Sequence, residues 1–205
     1  MTEITFRAED HTYWIGGGLQ RVPAVSEVAS LVTGDDYKSV PAFVLERAAE
    51  RGRKLHTAIQ RLEMTGLTGD VELAHQGYIR SYELWRADQA WVPESFEEVV
   101  CGQVGECIYG GTLDASGELN GQRCILDYKS QSGPLKAPIL WKLAAYGYAK
   151  FGGSPPPRRL ALHLRQDGKR AQEYDGEDWG EEWGNFEVLL KAWWLKQKNG
   201  KKETA

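Results

Sequence analysis

Hydrophobic side chains return every three or four positions between residues 41 and 64, and this spacing predicts a long amphipathic helix. Pro41 stands near its first turn, where the missing N–H of proline costs nothing. Less regular patterns of the same period predict a helix over residues 71–90, another over residues 138–150, and a last one that starts at Asp178.

The first forty residues are predicted to form a hairpin followed by a short helix. Alternating and aromatic residues predict one strand over residues 6–15 and a second over residues 19–22, joined by three glycines at 16–18. Ser26 is the predicted cap of the helix, which continues to about residue 32.

The middle of the chain changes to a strand pattern. Turns are predicted at Gly110-Gly111 and at Asn120-Gly121, and Asn-Gly is a strong short-range hairpin signal. The order of helices and strands predicts a mixed α/β (α+β) fold in one domain, residues 1–205. The predicted strands lie at residues 96–100, 103–108, 112–115, 123–128, 160–164 and 171–174. The predicted parts of the domain are an N-terminal elaboration over residues 1–40, a core over 41–175, and a C-terminal helix and tail over 176–205.

Composition and charge narrow the class of protein only in part. A net charge of −4 counts against a nonspecific nucleic-acid coat, which is usually basic, but not against an enzyme that gathers acidic groups around a metal. Cys101, Cys107 and Cys124 have no CxxC or Cys/His spacing, so neither a zinc ribbon nor a cysteine-held iron–sulfur cluster is indicated. We expect an intracellular, cytoplasmic protein, because the thiols are scattered and the sequence has no signal pattern. We expect no membrane span, because there is no long apolar run.

The stretch from Gly110 to Ser130 carries the residues with the clearest chemical meaning. Asp114 ends one predicted strand, and Asp127 lies on the next, followed two residues later by Lys129. Residues two apart on a strand point to the same face, so Asp127 and Lys129 project together, and the hairpin brings Asp114 alongside. Two carboxylates suit Mg²⁺, and a lysine beside them can offset charge that develops on a phosphate. The same triplet also fits an ordinary ion pair on a strand surface, worth under about 1 kcal/mol.

These residues resemble the motifs of the PD-(D/E)XK nuclease superfamily, in its RecB-like and phage-exonuclease-like branch. Gly111-Thr112-Leu113-Asp114 stands where that branch has a G-x-x-D strand, and Asp127-Tyr128-Lys129 where it has D/E-x-K. A glycine and a histidine four residues apart on the preceding helix match Gly52 and His56, and Glu98 matches a glutamate common on the strand before. The opening, with DHTYWI and RVPAVSEV, is similar to the N-terminal hairpin and helix of phage members.

The resemblance implies a restriction-endonuclease-like core, in which a central mixed sheet is flanked by helices. It implies a Mg²⁺-dependent deoxyribonuclease in which Mn²⁺ substitutes, with no Fe–S cluster, and it favours an exonuclease that acts on DNA ends in phage or bacterial recombination or repair. DNA is the implied partner, while an annealing or recombination protein and a ring-forming oligomer stay open. The implied catalytic residues are Asp114, Asp127 and Lys129. The implied metal set is His56, Asp114, Asp127 and Tyr128, and the implied substrate-binding set is Glu98, Lys142, Tyr146, Ser130 and Arg53.

One position departs from the pattern of the branch, which has Q-x-x-x-Y on the helix after the lysine strand. Here Lys142 and Tyr146 keep the four-residue spacing, so both side chains share one helix face, but an ammonium replaces the amide. Lysine can contact a DNA phosphate as a point charge, and tyrosine can stack on a base. The alternative is that Lys142 is a solvated residue and Tyr146 a core residue.

Two further alternatives concern the first long helix. His56 lies at the edge of the apolar face, where a histidine without a metal would also fit. The basic residues of this helix are predicted to form a solvated stripe on the side away from His56. That stripe comprises Arg47, Arg51, Lys54 and Arg61.

Two other functions stay open beside the nuclease. A nuclease fold that has lost catalysis could bind nucleic acid or protein, although intact Asp114, Asp127 and Lys129 argue against such decay. An unrelated α/β domain could carry these residues by coincidence.

Overall fold

The computed structural model describes residues 3–34, 38–131, 133, 137–152 and 158–200, and these form two β-sheets and five α-helices. The first sheet is antiparallel and has three strands, β1 (Ile4–Arg7), β2 (Thr12–Ile15) and β3 (Gln20–Val22). The second has five strands in chain order, β4 (Trp91–Val104), β5 (Cys107–Leu119), β6 (Gln122–Lys129), β7 (Arg158–His163) and β8 (Gln172–Asp175). The helices are α1 (Val25–Thr33), α2 (Ala42–Thr65), α3 (Gln76–Ala87), α4 (Pro138–Phe151) and α5 (Trp179–Gly200).

The five-stranded sheet is mixed because of one crossover. Strands β4, β5 and β6 are joined as antiparallel hairpins, and β7 and β8 also pair antiparallel. Strands β6 and β7 run parallel, which requires a long connection, and α4 lies in it. The expected mixed α/β fold, with a central sheet flanked by helices and an N-terminal sheet beside it, is confirmed.

Helices cover both faces of the large sheet, so the residues of β6 alternate between two cores. Leu126 packs with α2 and α3 residues such as Ile59 and Trp85. Ile125, its neighbour, faces the opposite core, where Leu143 of α4 and Phe186 of α5 lie. Because both faces are buried there, β6 is apolar directly before the site, in the run Cys124-Ile125-Leu126.

The predicted N-terminal hairpin is wrong in one respect, because the chain reverses inside the strand expected over residues 6–15. The turn lies between β1 and β2, where His11 has a positive φ of 54° and the Thr12 hydroxyl donates to the Asp10 carboxylate over 2.6 Å. A short polar side chain that bonds locally stabilises such a turn, and an alternating pattern alone does not reveal it. The glycines at 16–18 form the second turn, as predicted.

Gly110-Gly111 is also not a turn. Both glycines lie within β5, and the reversal between β4 and β5 occurs at Gly105, where φ is 57°. The glycines are needed for close packing instead: a Cβ would come within 2.6 Å of Tyr13 Cγ at Gly110 and within 2.5 Å of Tyr146 Cε1 at Gly111. The hairpin predicted at Asn120-Gly121 is confirmed, with φ of 53° and 78°.

The helix boundaries differ from the predictions mainly at their starts. The helix expected over residues 71–90 is α3, preceded by a single 3-10 turn at Leu73–His75. Ser26 lies inside α1, whose first turn is held by the Ala24 N–H, which donates to the Glu27 carboxylate over 3.5 Å. The break predicted after α4 begins at Gly152 with a φ of 66°, and its residues 153–157 lie outside the described part of the chain. None of the described helices combines the length and apolar character that a membrane crossing requires.

Candidate metal centre

The site forms where β5 and β6 stop pairing with each other. Ala115 and Leu126 are the last partners in their ladder, and beyond them the Asp114 carboxylate takes the place of a backbone acceptor. The Tyr128 N–H donates to Asp114 Oδ2 over 2.8 Å, and Tyr128 pairs on its other side with Leu162 of β7. The backbone of β6 therefore fixes the orientation of the Asp114 side chain.

Glu97 lies opposite Asp114 on the neighbouring strand. The register pairs Phe96 with Ala115 and Glu98 with Leu113, so Glu97 and Asp114 face each other between these pairs. Glu97 has a positive φ of 47°, which is uncommon for a residue with a side chain and costs on the order of 1–3 kcal/mol. Such local strain is typical of functional positions.

His56 of α2 completes a cluster with these two carboxylates. Its Nδ1 lies 3.2 Å from Glu97 Oε1, and its Nε2 lies 3.6 Å from Asp114 Oδ2 and 3.3 Å from the Tyr128 carbonyl oxygen. One ligand atom from each of His56, Glu97 and Asp114 lies within 4.8 Å of the other two. An imidazole and two carboxylates at this spacing can hold a divalent cation.

Asp127 and Lys129 form an ion pair beside this cluster. Lys129 Nζ lies 2.5 Å from Asp127 Oδ2 and 3.4 Å from the Tyr128 carbonyl oxygen. The Asp127 side chain is only 5% exposed and that of Lys129 is 23% exposed. Burial acts to raise the pKa of Asp127, but the ammonium groups of Lys129 and Lys142 outweigh it and lower that pKa.

Asp114 has less compensation than Asp127. Burial raises the pKa of Asp114, and the charge of Asp127 adds to this effect although His56 opposes it. Burial acts to lower the pKa of His56, but Asp114 and Glu97 together raise it. Burial is the main cause of the shift at Asp114, whereas the negative charge of two carboxylates is the cause at His56. A divalent cation among these groups would compensate the charge of the carboxylates, so the residues present fit a metal ion.

Lys142 and Tyr146 of α4 both interact electrostatically with the two aspartates. Burial lowers the pKa of Lys142, and the nearby charge of Lys129 lowers it further, while Asp127 and Asp114 oppose the change. Tyr146 is 7% exposed, packs on Gly111, and has a pKa well above its ordinary value because of burial and the two aspartates. The structure therefore brings both residues to the predicted site, with Tyr146 also part of the core as the alternative held.

Tyr128 meets the site through its backbone more than through its side chain, whereas Ser130 contacts Arg51. The Tyr128 carbonyl oxygen faces His56, whereas its ring is buried and stands edge-on to the rings of His56 and Tyr82. Ser130 follows β6 and accepts two hydrogen bonds from Arg51, one at its hydroxyl and one at its carbonyl oxygen, both over 3.2 Å.

Two predicted substrate-binding residues are not brought to the cluster. Glu98 instead pairs with Lys150 of α4 and accepts a hydrogen bond from the Ser95 hydroxyl of its own strand. Arg53 is exposed on α2 and lines a separate groove. The expected solvated stripe is also wrong for Arg51, which reaches the end of β6 and lies 5.7 Å from the centre of the Tyr78 ring.

Glu97 is the site residue that the sequence prediction missed. The chain carries two adjacent glutamates, Glu97 and Glu98, and strand alternation sends them to opposite faces. Which of them faces His56 depends on the irregularity between Pro93 and Ser95, where the register shifts, and on the positive φ of Glu97. A proline within a strand marks such an irregularity but does not specify its direction.

Comparison with known proteins gives no family for this chain. No family model matches it, and no curated protein matches it. Among solved structures, SSO0001 is similar with a TM-score of 0.47 and 14% identity, over 83% of this chain and 75% of that one. LHK-Exo, solved in complex with dAMP, is similar with a TM-score of 0.39 and 14% identity, over 90% of this chain and 95% of that one. TM-scores below 0.5 do not establish a shared fold, so the function is inferred from the site.

Proposed function

We propose that this protein is a metal-dependent nuclease of the PD-(D/E)XK type, which hydrolyses phosphodiester bonds in DNA with Mg²⁺. The observation that carries the proposal is the cluster of His56, Glu97 and Asp114 directly beside the Asp127–Lys129 pair. An ordinary surface ion pair would not be surrounded by two further carboxylates and an imidazole, which here are those of Asp114, Glu97 and His56.

Each residue has a distinct task in this proposal. His56, Glu97 and Asp114 hold the ion, with Asp127 and the Tyr128 carbonyl oxygen adjacent to them. A bound divalent ion polarises a phosphoryl oxygen and lowers the pKa of a water molecule.

Lys129 supplies a second positive charge to the reacting phosphate. Its ammonium group is fixed between the Asp127 carboxylate and the Tyr128 carbonyl oxygen, so it needs no reorganisation when charge develops on that phosphate. Lys142 supplies a third cation near the two aspartates, where it can contact a neighbouring phosphate of the strand.

Within this function we favour an exonuclease that acts on DNA ends in recombination or repair. Sequence motifs support this choice: G-x-x-D, D-x-K and the Gly52–His56 spacing are those of the RecB-like and phage-exonuclease-like branch. Lys142 stands where that branch has a glutamine, so we expect this protein to differ from the branch in how it binds the DNA strand.

The test is a cleavage assay with matched variants. Linear and circular DNA, each single- and double-stranded, is incubated with the protein and Mg²⁺ or Mn²⁺. The wild type is expected to cut, and Lys129→Ala is expected to lose on the order of 10²-fold or more in rate, as removal of one charge-stabilising group does elsewhere. Lys191→Ala serves as the control, because Lys191 is exposed on α5 and pairs with Glu187 of the same helix.

The outcomes separate the alternatives. No cutting under any condition, with DNA still bound, would favour the binding module, and neither cutting nor binding would favour an unrelated domain. Undiminished cutting by Lys129→Ala would refute the assigned centre. Sparing of circular substrates would support the exonuclease, whereas their loss would show an endonuclease.

A further inference from the structure

A groove lies on the side of α2 that faces away from the candidate metal centre. It encloses about 370 Å³ between α2 and the segment that leads to α3. Leu55, Ala58 and Val71 form an apolar floor. The polar lining residues include Arg53, Lys54, Thr57 and Arg61 on α2, and Asp70, Glu72 and His75 on the opposite wall.

Two of the cations in this groove, Arg53 and Arg61, form no ion pair with a described residue. Lys54 already forms two ion pairs, because its ammonium group lies 2.9 Å from Glu50 and 2.6 Å from Glu72. Over the described residues, by contrast, neither Arg53 nor Arg61 has a carboxylate within the 4 Å of an ion pair. The Arg61 guanidinium lies against the backbone of Gly69, where an added Cβ would be 2.4 Å from Nη1. With Glu50 counted beside Lys54, the charges at the groove balance, so an anion would be held by direct contact with the two arginines and not by an excess of positive charge.

The two arginines are arranged along one direction. Arg53, Thr57 and Arg61 are four residues apart in turn, so they follow one row of the helix. Eight residues of helix separate the Cα atoms of Arg53 and Arg61 by about 12 Å. Two guanidinium groups at this separation suit an extended anion with charged groups spaced along it, rather than a single compact ion.

The groove is distinct from the metal centre but close to it along the chain. His56 stands between Leu55 and Thr57 in sequence, yet its imidazole faces Glu97 and Asp114 on the other side of α2. Arg53 is exposed on the turn that precedes His56, between the two sides of the helix. A strand that leaves the metal centre over this turn would enter the groove at Arg53 and pass Arg61.

We propose that this groove binds the phosphate backbone of the DNA substrate, with Arg53 and Arg61 on separate phosphates. The inference rests on the proposed function, because it supplies a second contact for the same substrate. With a net charge of −4, the protein gains no attraction to DNA from its overall charge, so local cation pairs must supply it.

The experiment measures single-stranded DNA binding in EDTA, where no metal supports cutting. Fluorescence anisotropy of a labelled oligonucleotide, recorded across a range of salt concentrations, gives the number of phosphates contacted. Arg53→Ala and Arg61→Ala are each expected to reduce the slope of log K against log salt by about 0.7, and the double variant by about 1.4. Arg47→Ala is the matched control, because Arg47 lies on the same helix outside the groove and near Phe43.

Each result decides between the possibilities. If the wild type binds and cuts DNA but the double variant keeps the wild-type salt slope, the groove proposal is overturned while the nuclease stands. If the wild type neither binds nor cuts DNA, the proposed function itself fails.

A free 5′-mononucleotide is titrated in parallel. If it binds the wild type but not the double variant, while the two bind the DNA strand equally, the groove binds a free nucleotide and the strand proposal is wrong. Circular dichroism checks that each variant is folded.

Discussion

Two largely buried carboxylates lie close together where β5 and β6 stop pairing, and Lys129 forms an ion pair with Asp127. Asp127 has the ammonium group of Lys129 at 2.5 Å, whereas Asp114 has the imidazole of His56 at 3.6 Å. Burial and the charge of the neighbouring Asp127 raise the pKa of Asp114, and the imidazole of His56 compensates only in part. Without a cation, the folded protein therefore carries an unfavourable electrostatic energy at this point, which a metal ion would relieve.

This energy predicts that a divalent ion stabilises the fold. An ion at 100 times its dissociation constant adds about 2.7 kcal/mol, and for a domain of this size that corresponds to a rise in Tm of roughly 5–10 °C. Asp114→Asn should remove most of this rise. Its Tm without metal should match or exceed that of the wild type, because the amide can still accept from Tyr128 N–H but carries no buried charge.

Thermal unfolding with and without Mn²⁺ measures both quantities. Glu106→Gln is the control, since Glu106 is exposed in the β4–β5 turn and should leave the metal-dependent rise intact. A rise in Tm that is the same in Asp114→Asn and the wild type would contradict the assignment of Asp114 as a ligand.

The sequence predicted those site residues that lie at regular positions in an element. Asp127 and Lys129 share a strand face by the period of two, and the Asn120-Gly121 turn returns β6 beside Asp114. His56 followed from the family resemblance, through its four-residue spacing from Gly52. Glu97 did not, because its orientation depends on a register shift and a positive φ that residue identities do not reveal.

The same distinction applies to the elements. Long helices such as α2 were predicted to within one residue, because many apolar positions repeat over several turns. The prediction of a turn at Gly110 and Gly111 was wrong. Glycine is required both in turns and where the backbone packs closely, and the sequence does not distinguish the two roles. Only contacts with Tyr13 and Tyr146, distant in sequence, distinguish the two.

That packing requirement predicts a specific cost at Gly111. In Gly111→Ala the new Cβ would come within 2.5 Å of Tyr146 Cε1 and 3.0 Å of Val25 Cγ2, so α4 and α1 would both have to move from the sheet. We expect a loss of about 1–3 kcal/mol in the free energy of unfolding, as for other overpacked cores. Urea denaturation measures it.

A second glycine provides the matched comparison. Gly184 lies inside α5 with open space around its position, so Gly184→Ala should gain about 0.5–1 kcal/mol from its better helix propensity. If Gly111→Ala were as stable as the wild type, the approach of α4 to β5 at this point would be looser than described.

At the scale of the whole molecule, α5 connects parts that are far apart in sequence. Trp193 donates its indole N–H to Glu27 of α1 over 3.2 Å, and Trp194 donates to the Ile108 carbonyl oxygen of β5 over 3.1 Å. Phe186 and Leu190 lie in the core between α5 and the large sheet. The N-terminal part, the sheet and the last helix are therefore joined by direct contacts, and we expect them to unfold in one transition.

The strongest polar link of α5 to the sheet is a buried ion pair, and it carries the last prediction. Arg159 Nε of β7 donates to Glu182 Oε2 over 2.8 Å, with the two side chains 6% and 8% exposed, and the guanidinium also lies over the Trp179 ring. Glu182→Ala leaves this guanidinium buried and unpaired, which should lower the free energy of unfolding by about 3–5 kcal/mol. Glu187→Ala breaks a half-exposed pair with Lys191 on the same helix and should cost under about 1 kcal/mol. Scanning calorimetry of both variants tests the difference: equal losses would mean that the Arg159 charge finds another partner, and two separate transitions would show that α5 is not part of one cooperative unit.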